Sequence, residues 1–138
     1  MHSIVLAQKV RSRALSHLQT LFQNDRINLI LTPTTAITSP RLPSSYSALS
    51  LGYSNNSLAS DAMRFAFLSN FAGLPALSVP VGWDEVGLAV GLQVMGEWWD
   101  EGTLMVFGKW VETLGKENPE FGFKRADKWI GDVTKEVK

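Results

Sequence analysis

Asn70-Phe-Ala-Gly-Leu-Pro-Ala-Leu-Ser-Val-Pro-Val-Gly82 and Gly87-Leu-Ala-Val-Gly-Leu-Gln-Val-Met-Gly96 decide how this 138-residue chain is read. Gly73 can take the left-handed backbone that ends a helix. Pro75 keeps the helix from restarting, because the residue before a proline is pushed towards extended geometry. Ala76–Pro80 then reads as a short strand with Leu77 and Val79 on one face. Gly82-Trp-Asp-Glu-Val-Gly87 is turn-like. In the next run Leu88, Val90, Leu92 and Val94 alternate with Ala89, Gly91, Gln93 and Met95. That pattern predicts a hairpin whose sheet is covered on both faces. Gly91, inside a strand, permits close approach of a neighbouring backbone.

Upstream of this unit, residues 57–72 predict one helix, with Asn56 or Ser57 as N-cap. Ala62, Met63, Phe65, Ala66, Phe67, Leu68, Phe71 and Ala72 cover nearly its whole circumference, so burial on more than one side is expected. Residues 33–56 carry Pro33, Pro40, Pro43 and many hydroxyl residues, which predicts a long loop. Before it, Ile27–Thr32 predicts a short buried strand. Residues 4–23 predict an amphipathic helix, with Ala7, Val10, Ala14, Leu18, Leu21 and Phe22 recurring every three or four positions. Downstream, residues 100–115 predict a helix capped by Asp100, with Leu104, Phe107, Val111 and Leu114 as its stripe. Residues 126–137 predict a final short helix with Trp129, Ile130, Val133 and Val137 inward.

Composition narrows the function classes. Thirteen basic and thirteen acidic residues cancel to zero net charge, so no strong field favours nucleic acid or an anionic membrane. The absence of cysteine excludes disulfides, thiolate catalysis and cysteine-ligated zinc. No run approaches the ~20 apolar residues of a membrane span. Ile4–Ala7 is too short, and too closely followed by Lys9, Arg11 and Arg13, for a secretory signal. A cytoplasmic location is the expectation.

The residues give no catalytic constellation. His2 lies near the terminus, and His17 sits on the first helix with no carboxylate near it in sequence, so a solvated histidine is the simpler reading. Asp84-Glu85 and Asp100-Glu101 are adjacent pairs suited to turns and helix caps rather than ligand-spaced metal sets. Trp83, Trp98 and Trp99 read as packing at strand ends more readily than as a sugar platform. Ser44-Ser45 follows Pro43 and lacks the flanking glycines of an oxyanion loop. Ser78 lies mid-strand, where a hydroxyl is more often packed than activated. There is no G-x-S-x-G, no phosphate-binding glycine loop and no dinucleotide fingerprint, so no cofactor is expected.

In its ordered motifs the chain resembles the amidase-signature family over residues 8–115, about four-fifths of its length. The series runs Arg11 and Arg13, then Leu29-Ile-Leu-Thr-Pro-Thr34. Next come Asn70, Gly73, Pro75, Ala76, Ser78, Pro80 and Gly82. It ends on Gly87-Leu88, Val90-Gly-Leu-Gln93, Gly96 and Asp100-Glu101. Asn28 stands where the family strand often begins with aspartate, and Ala89 replaces the usual proline.

The resemblance implies an α/β fold: the C-terminal part of a mixed-sheet sandwich, with three or four strands and three or four packing helices. Residues 1–116 would belong to that domain and 117–138 to a C-terminal tail. The family's Ser–Ser–Lys chemistry, with its Gly-Gly-Ser-Ser-Gly loop, has no counterpart here, so no residue inherits a catalytic role. Pro33, Thr34, Met63 and Phe67 are the candidate substrate-pocket wall. The glutamine-handling branch resembles this chain but carries aspartate where Met63 stands, which points to a non-glutamine amide.

The resemblance also implies a truncated gene, a split gene or an incomplete gene model. The partner would be an N-terminal amidase half, and a small amide would be bound only in the complete enzyme. The alternative is a non-catalytic interaction module that keeps this scaffold segment and binds another protein.

Overall fold

A computed structural model describes residues 2–41 and 54–118. The predicted helix at 126–137, the 117–138 tail beyond Asn118 and the Ser44-Ser45 pair lie outside the described residues. The chain begins with α1 (His2–Gln19), which widens into one π turn at Thr20–Asn24. The Asp25 amide donates to the Thr20 carbonyl at 3.0 Å and so closes that turn. β1 follows at Leu29–Pro33. Two short helices, α2 (Asn56–Met63) and α3 (Ala66–Ala72), then lead into a hairpin of β2 (Ala76–Trp83) and β3 (Ala89–Gly96). α4 spans Glu101–Glu117.

The sheet order is β1-β3-β2, and both pairings are antiparallel. The Gly-Leu-Gln strand is therefore the central one. Pro80 is tolerated because β2 is an edge strand, where a missing N–H need not break a ladder. A bulge between Pro80 and Gly82 bends that edge. Ile27–Thr32 was expected to be buried; β1 is instead the opposite edge, and Leu31 is 52% exposed.

Strand alternation sorts the side chains onto two faces. Ile30, Met95 and Ala76 share one rung, and Met95 is wholly buried against Leu18, Phe22, Ala72 and Leu74. This face is covered by α1 and α3. Leu31, Val94 and Leu77 share the next rung, on the opposite face. There Gly108 of α4 lies so close to β2 that a Cβ would sit 2.7 Å from a Leu77 methyl. The expected two-sided coverage of the hairpin is thus observed.

The single helix expected over 57–72 is two helices. α2 is capped by Asn55, one residue before the expected position, whose side-chain oxygen accepts from the Ser57 and Leu58 amides at 3.1 and 3.2 Å. Its last turn tightens at Arg64, whose amide reaches Asp61 at 3.4 Å. The Phe65 carbonyl is hydrogen-bonded to the sheet through Gln93. Apolar periodicity could not register that break, because the tie comes from β3. Only Ser69 and Ala72 are buried on the two helices, so the apolar circumference is not enclosed among the described residues.

Gly73 ends α3 as expected, at φ 71°, with the Gly73 and Leu74 amides both donating to the Ser69 carbonyl. Two side chains then satisfy the last carbonyls. Arg11 Nε donates to Phe71 O at 2.8 Å, and Trp98 Nε1 donates to Ala72 O at 3.1 Å.

Candidate functional site

The helix-covered face that carries Met95 turns polar towards the other end of β3. Thr32, Gln93 and Ser78 lie side by side on one rung of the three strands. Gln93 is 6% exposed. Its Nε2 donates to the Phe65 carbonyl at 3.1 Å and to Thr32 Oγ1 at 3.4 Å. One rung further, Gly91 has no side chain, and Thr34 fills that space. The Thr34 and Ser78 hydroxyls are 2.6 Å apart, and the Thr34 amide donates to the Gly91 carbonyl at 2.9 Å. The close approach expected at Gly91 is real, but its partner is a side chain rather than a backbone.

Ser78 was expected to be packed; on the edge strand it is instead exposed, and its hydroxyl is held by Thr34. A nucleophilic serine needs a base within hydrogen-bond reach, and the Ser78 hydroxyl meets another neutral hydroxyl instead. His17 is exposed on α1. Among the described residues no group of three or more histidines, aspartates or glutamates could hold a metal ion.

The four candidate wall residues fall in two places. Pro33 and Thr34 are consecutive at the end of β1, and alternation sends them to opposite faces. Pro33 pairs with Leu92 on the α4 side, whereas Thr34 lies with Ser78 and Gly91. Met63 ends α2, and Phe67 lies in the first turn of α3, so they flank the interhelix junction that Gln93 holds. Both are more than half exposed, at 56% and 59%. Phe67 stacks on Phe71 with ring centroids 5.0 Å apart.

A cleft of about 420 Å³ opens along α2 and the 35–40 segment, and none of the four candidate wall residues lines it. Ile37, Thr38, Leu58, Ala59, Ala62 and Ala89 are among the residues that line it. Sequence reasoning missed the cleft. Its lining combines the 35–40 segment with a second face of α2, and no local pattern joins those two.

Asp84 and Asp100 have the structural roles expected of them. Asp84 Oδ1 accepts from the Leu88 and Val86 amides at 2.8 and 3.0 Å and so builds the hairpin turn. The Leu88 amide is the main reason its carboxyl is held below the usual aspartate value; partial burial opposes the shift, and Thr38, Val86 and Gly87 add to it. Asp100 accepts from the Thr103 amide at 3.4 Å and caps α4. Trp98 packs edge-on against Phe22, with ring centroids 6.2 Å apart, as strand-end packing predicts. Trp99 projects into solvent.

The site region is thus an α/β segment: a three-stranded antiparallel sheet between helices, with Gly-x-Pro leading from a helix end into the Ala-x-Ser edge strand and Gly-Leu-Gln at its centre. The chain belongs to the amidase family, whose model, described as Amidase, matches residues 2–105.

Similar proteins include the fatty acid amide hydrolase of Medicago truncatula, 41% identical over 114 residues. That alignment covers 83% of this chain and 18% of the relative. The fatty acid amide hydrolase of Arabidopsis thaliana is 40% identical over 110 residues, covering 80% and 18%. A glutamyl-tRNA(Gln) amidotransferase subunit of Rhizobium leguminosarum bv. trifolii is 38% identical over 106 residues, covering 72% and 19%. Among solved structures, the corresponding subunit from Thermotoga maritima superposes with a TM-score of 0.61 at 28% identity, over 76% of this chain and 21% of that one. The chain therefore spans about a fifth of the length of these relatives.

Proposed function

We propose that these residues form the acyl-side wall of an amide hydrolase acting on an apolar or aryl amide rather than on glutamine. The nucleophile, base and oxyanion loop would be supplied by polypeptide outside this sequence, since it contains no Gly-Gly-Ser-Ser-Gly. The observation that carries the reading is the pair Met63 and Phe67. They are large, apolar and solvent-facing on either side of one helix junction. An apolar wall gains from an apolar acyl group and offers nothing to the charged groups of a free glutamine. The extent of the match to proteins named for fatty acid amides supports the same preference.

Removing a nucleophile and its base costs an enzyme orders of magnitude in rate. The purified 138-residue chain is therefore expected to hydrolyse neither aliphatic nor aryl amides above background. Turnover that survives repurification would overturn the reading. Mixing with an amidase polypeptide that carries the Gly-Gly-Ser-Ser-Gly loop is expected to produce turnover of aryl amides in preference to glutamine.

Exposed aliphatic side chains in the first turns of α1 favour a second reading, a non-catalytic interaction module. Ile4, Val5, Leu6 and Val10 are each more than half exposed, and such a surface suits a partner chain. Tight association with that polypeptide without turnover would favour the module.

A further inference from the structure

α2 buries no residue, so it lacks the apolar anchor that normally fixes a helix on a sheet. Its Asn55 cap is local and sets where the helix starts, not where it points. Its far end runs into a junction whose first α3 turn has no side-chain cap. Gln93 bridges from the central strand to that junction. It is one of two buried polar side chains among the described residues, and its donors are directed at Phe65 O and Thr32 Oγ1. A buried amide is tolerated only when hydrogen-bonded, so its geometry is tightly specified. The Phe65 bond is the shorter, and it lies between Met63 and Phe67.

We propose that Gln93 is a positioning residue: by holding the Phe65 carbonyl it sets the direction of α2 against the sheet, and with it the gap between Met63 and Phe67. Gln93 touches no substrate. It acts through the helix junction, and the width of that gap selects the acyl or aryl group that enters. This assignment of specificity rests on the amide-hydrolase reading; the hold on α2 does not.

The absence of cysteine makes site-directed spin labelling clean. Ser60→Cys on α2 and Lys109→Cys on α4, labelled in the full 138-residue chain, report the distance between helix and sheet layer by pulsed dipolar spectroscopy. Gln93→Met keeps side-chain length and removes the donor. It is expected to broaden the distance distribution about twofold or more, whereas Thr32→Val, which leaves the Phe65 bond, keeps it narrow.

Gln93→Glu is the second variant. An ionised carboxylate cannot donate to Phe65 O, and a protonated one can. Its distribution is therefore expected to be broad at about pH 8 and to narrow reversibly on acidification, a response that loss of packing alone would not give. Distributions in both Gln93 variants that coincide with the parent at every pH would overturn the proposal. So would loss of the β-sheet circular dichroism signal in both, since Gln93 would then hold the sheet rather than the helix. If glutamine is turned over while α2 loosens as expected, the substrate reading fails and the positioning role stands.

Discussion

The Thr34 hydroxyl reaches the Ser78 hydroxyl across the central strand at 2.6 Å, and it can do so only because Gly91 lies between them. A Cβ at Gly91 would stand 2.6 Å from Thr34 Oγ1 and 2.9 Å from Thr34 Cβ. The second contact is with an atom fixed to the backbone, so rotamer change cannot relieve it.

Gly91→Ala is expected to destabilise the fold by about 1–3 kcal/mol, the usual range for overpacking. Thr34→Gly in the same chain should recover part of that loss, because it removes both clashing atoms. Urea unfolding of the two single variants and the double variant checks this. Strictly additive losses would mean that the two positions do not compete for space.

Asp84 makes stability pH-dependent in one direction. Its folded carboxyl is held below the ordinary aspartate value by the Leu88 amide first, then by Thr38, Val86 and Gly87, against an opposing effect of burial. A depressed carboxyl contributes stability that is fully present above its unfolded value. That contribution is lost as pH falls through the folded value. Unfolding midpoints should therefore drop on acidification below the normal carboxylate range, and Asp84→Asn should flatten that part of the profile. The affected amides are Val86 and Leu88, whose hydrogen exchange should quicken in step.

Trp98 does two separable things. Its ring packs on Phe22, and its Nε1 donates to the Ala72 carbonyl. Trp98→Phe keeps much of the first and loses the second, at an expected cost of about 1 kcal/mol. Trp98→Ala loses both and should cost appreciably more, towards ~3 kcal/mol. Thermal melts of the two variants give the comparison. Equal losses would contradict a separate contribution from ring packing.

The chain alone is expected to be marginally stable. Large apolar side chains on α1 and α4, among them Ile4, Leu6, Val106 and Trp110, are more than half exposed. Each such group forgoes part of the ~1.5–3 kcal/mol that full burial would supply. Set against ~5–15 kcal/mol of net stability for a typical domain, that is a large share. Calorimetry should find a midpoint below ~65 °C, with dye-accessible apolar surface in the native state. A sharp transition above that temperature without dye binding would contradict the expectation.

Local chemistry made much of the fold legible in the sequence. Gly73 and Pro75 mark the end of α3 because only certain backbone angles suit them, whatever surrounds them. Asp84 and Asp100 mark a turn and a cap because a short carboxylate reaches amides a few residues on. The alternation in Leu88–Met95 locates the central strand and its two faces.

The break between α2 and α3 and the edge position of β1 were not legible. Each depends on a partner distant in sequence. Gln93 reaches Phe65, β3 pairs with β1, and the strand register joins segments far apart along the chain.

By itself the sequence determined the family and the local elements, because backbone preferences and motif order are written along the chain. Only the tertiary structure decided how β3 orders the rest. A hydrogen bond from a buried amide to Phe65, and an empty side-chain position filled by Thr34, are properties of residues brought together in space. No local pattern of residues contains them.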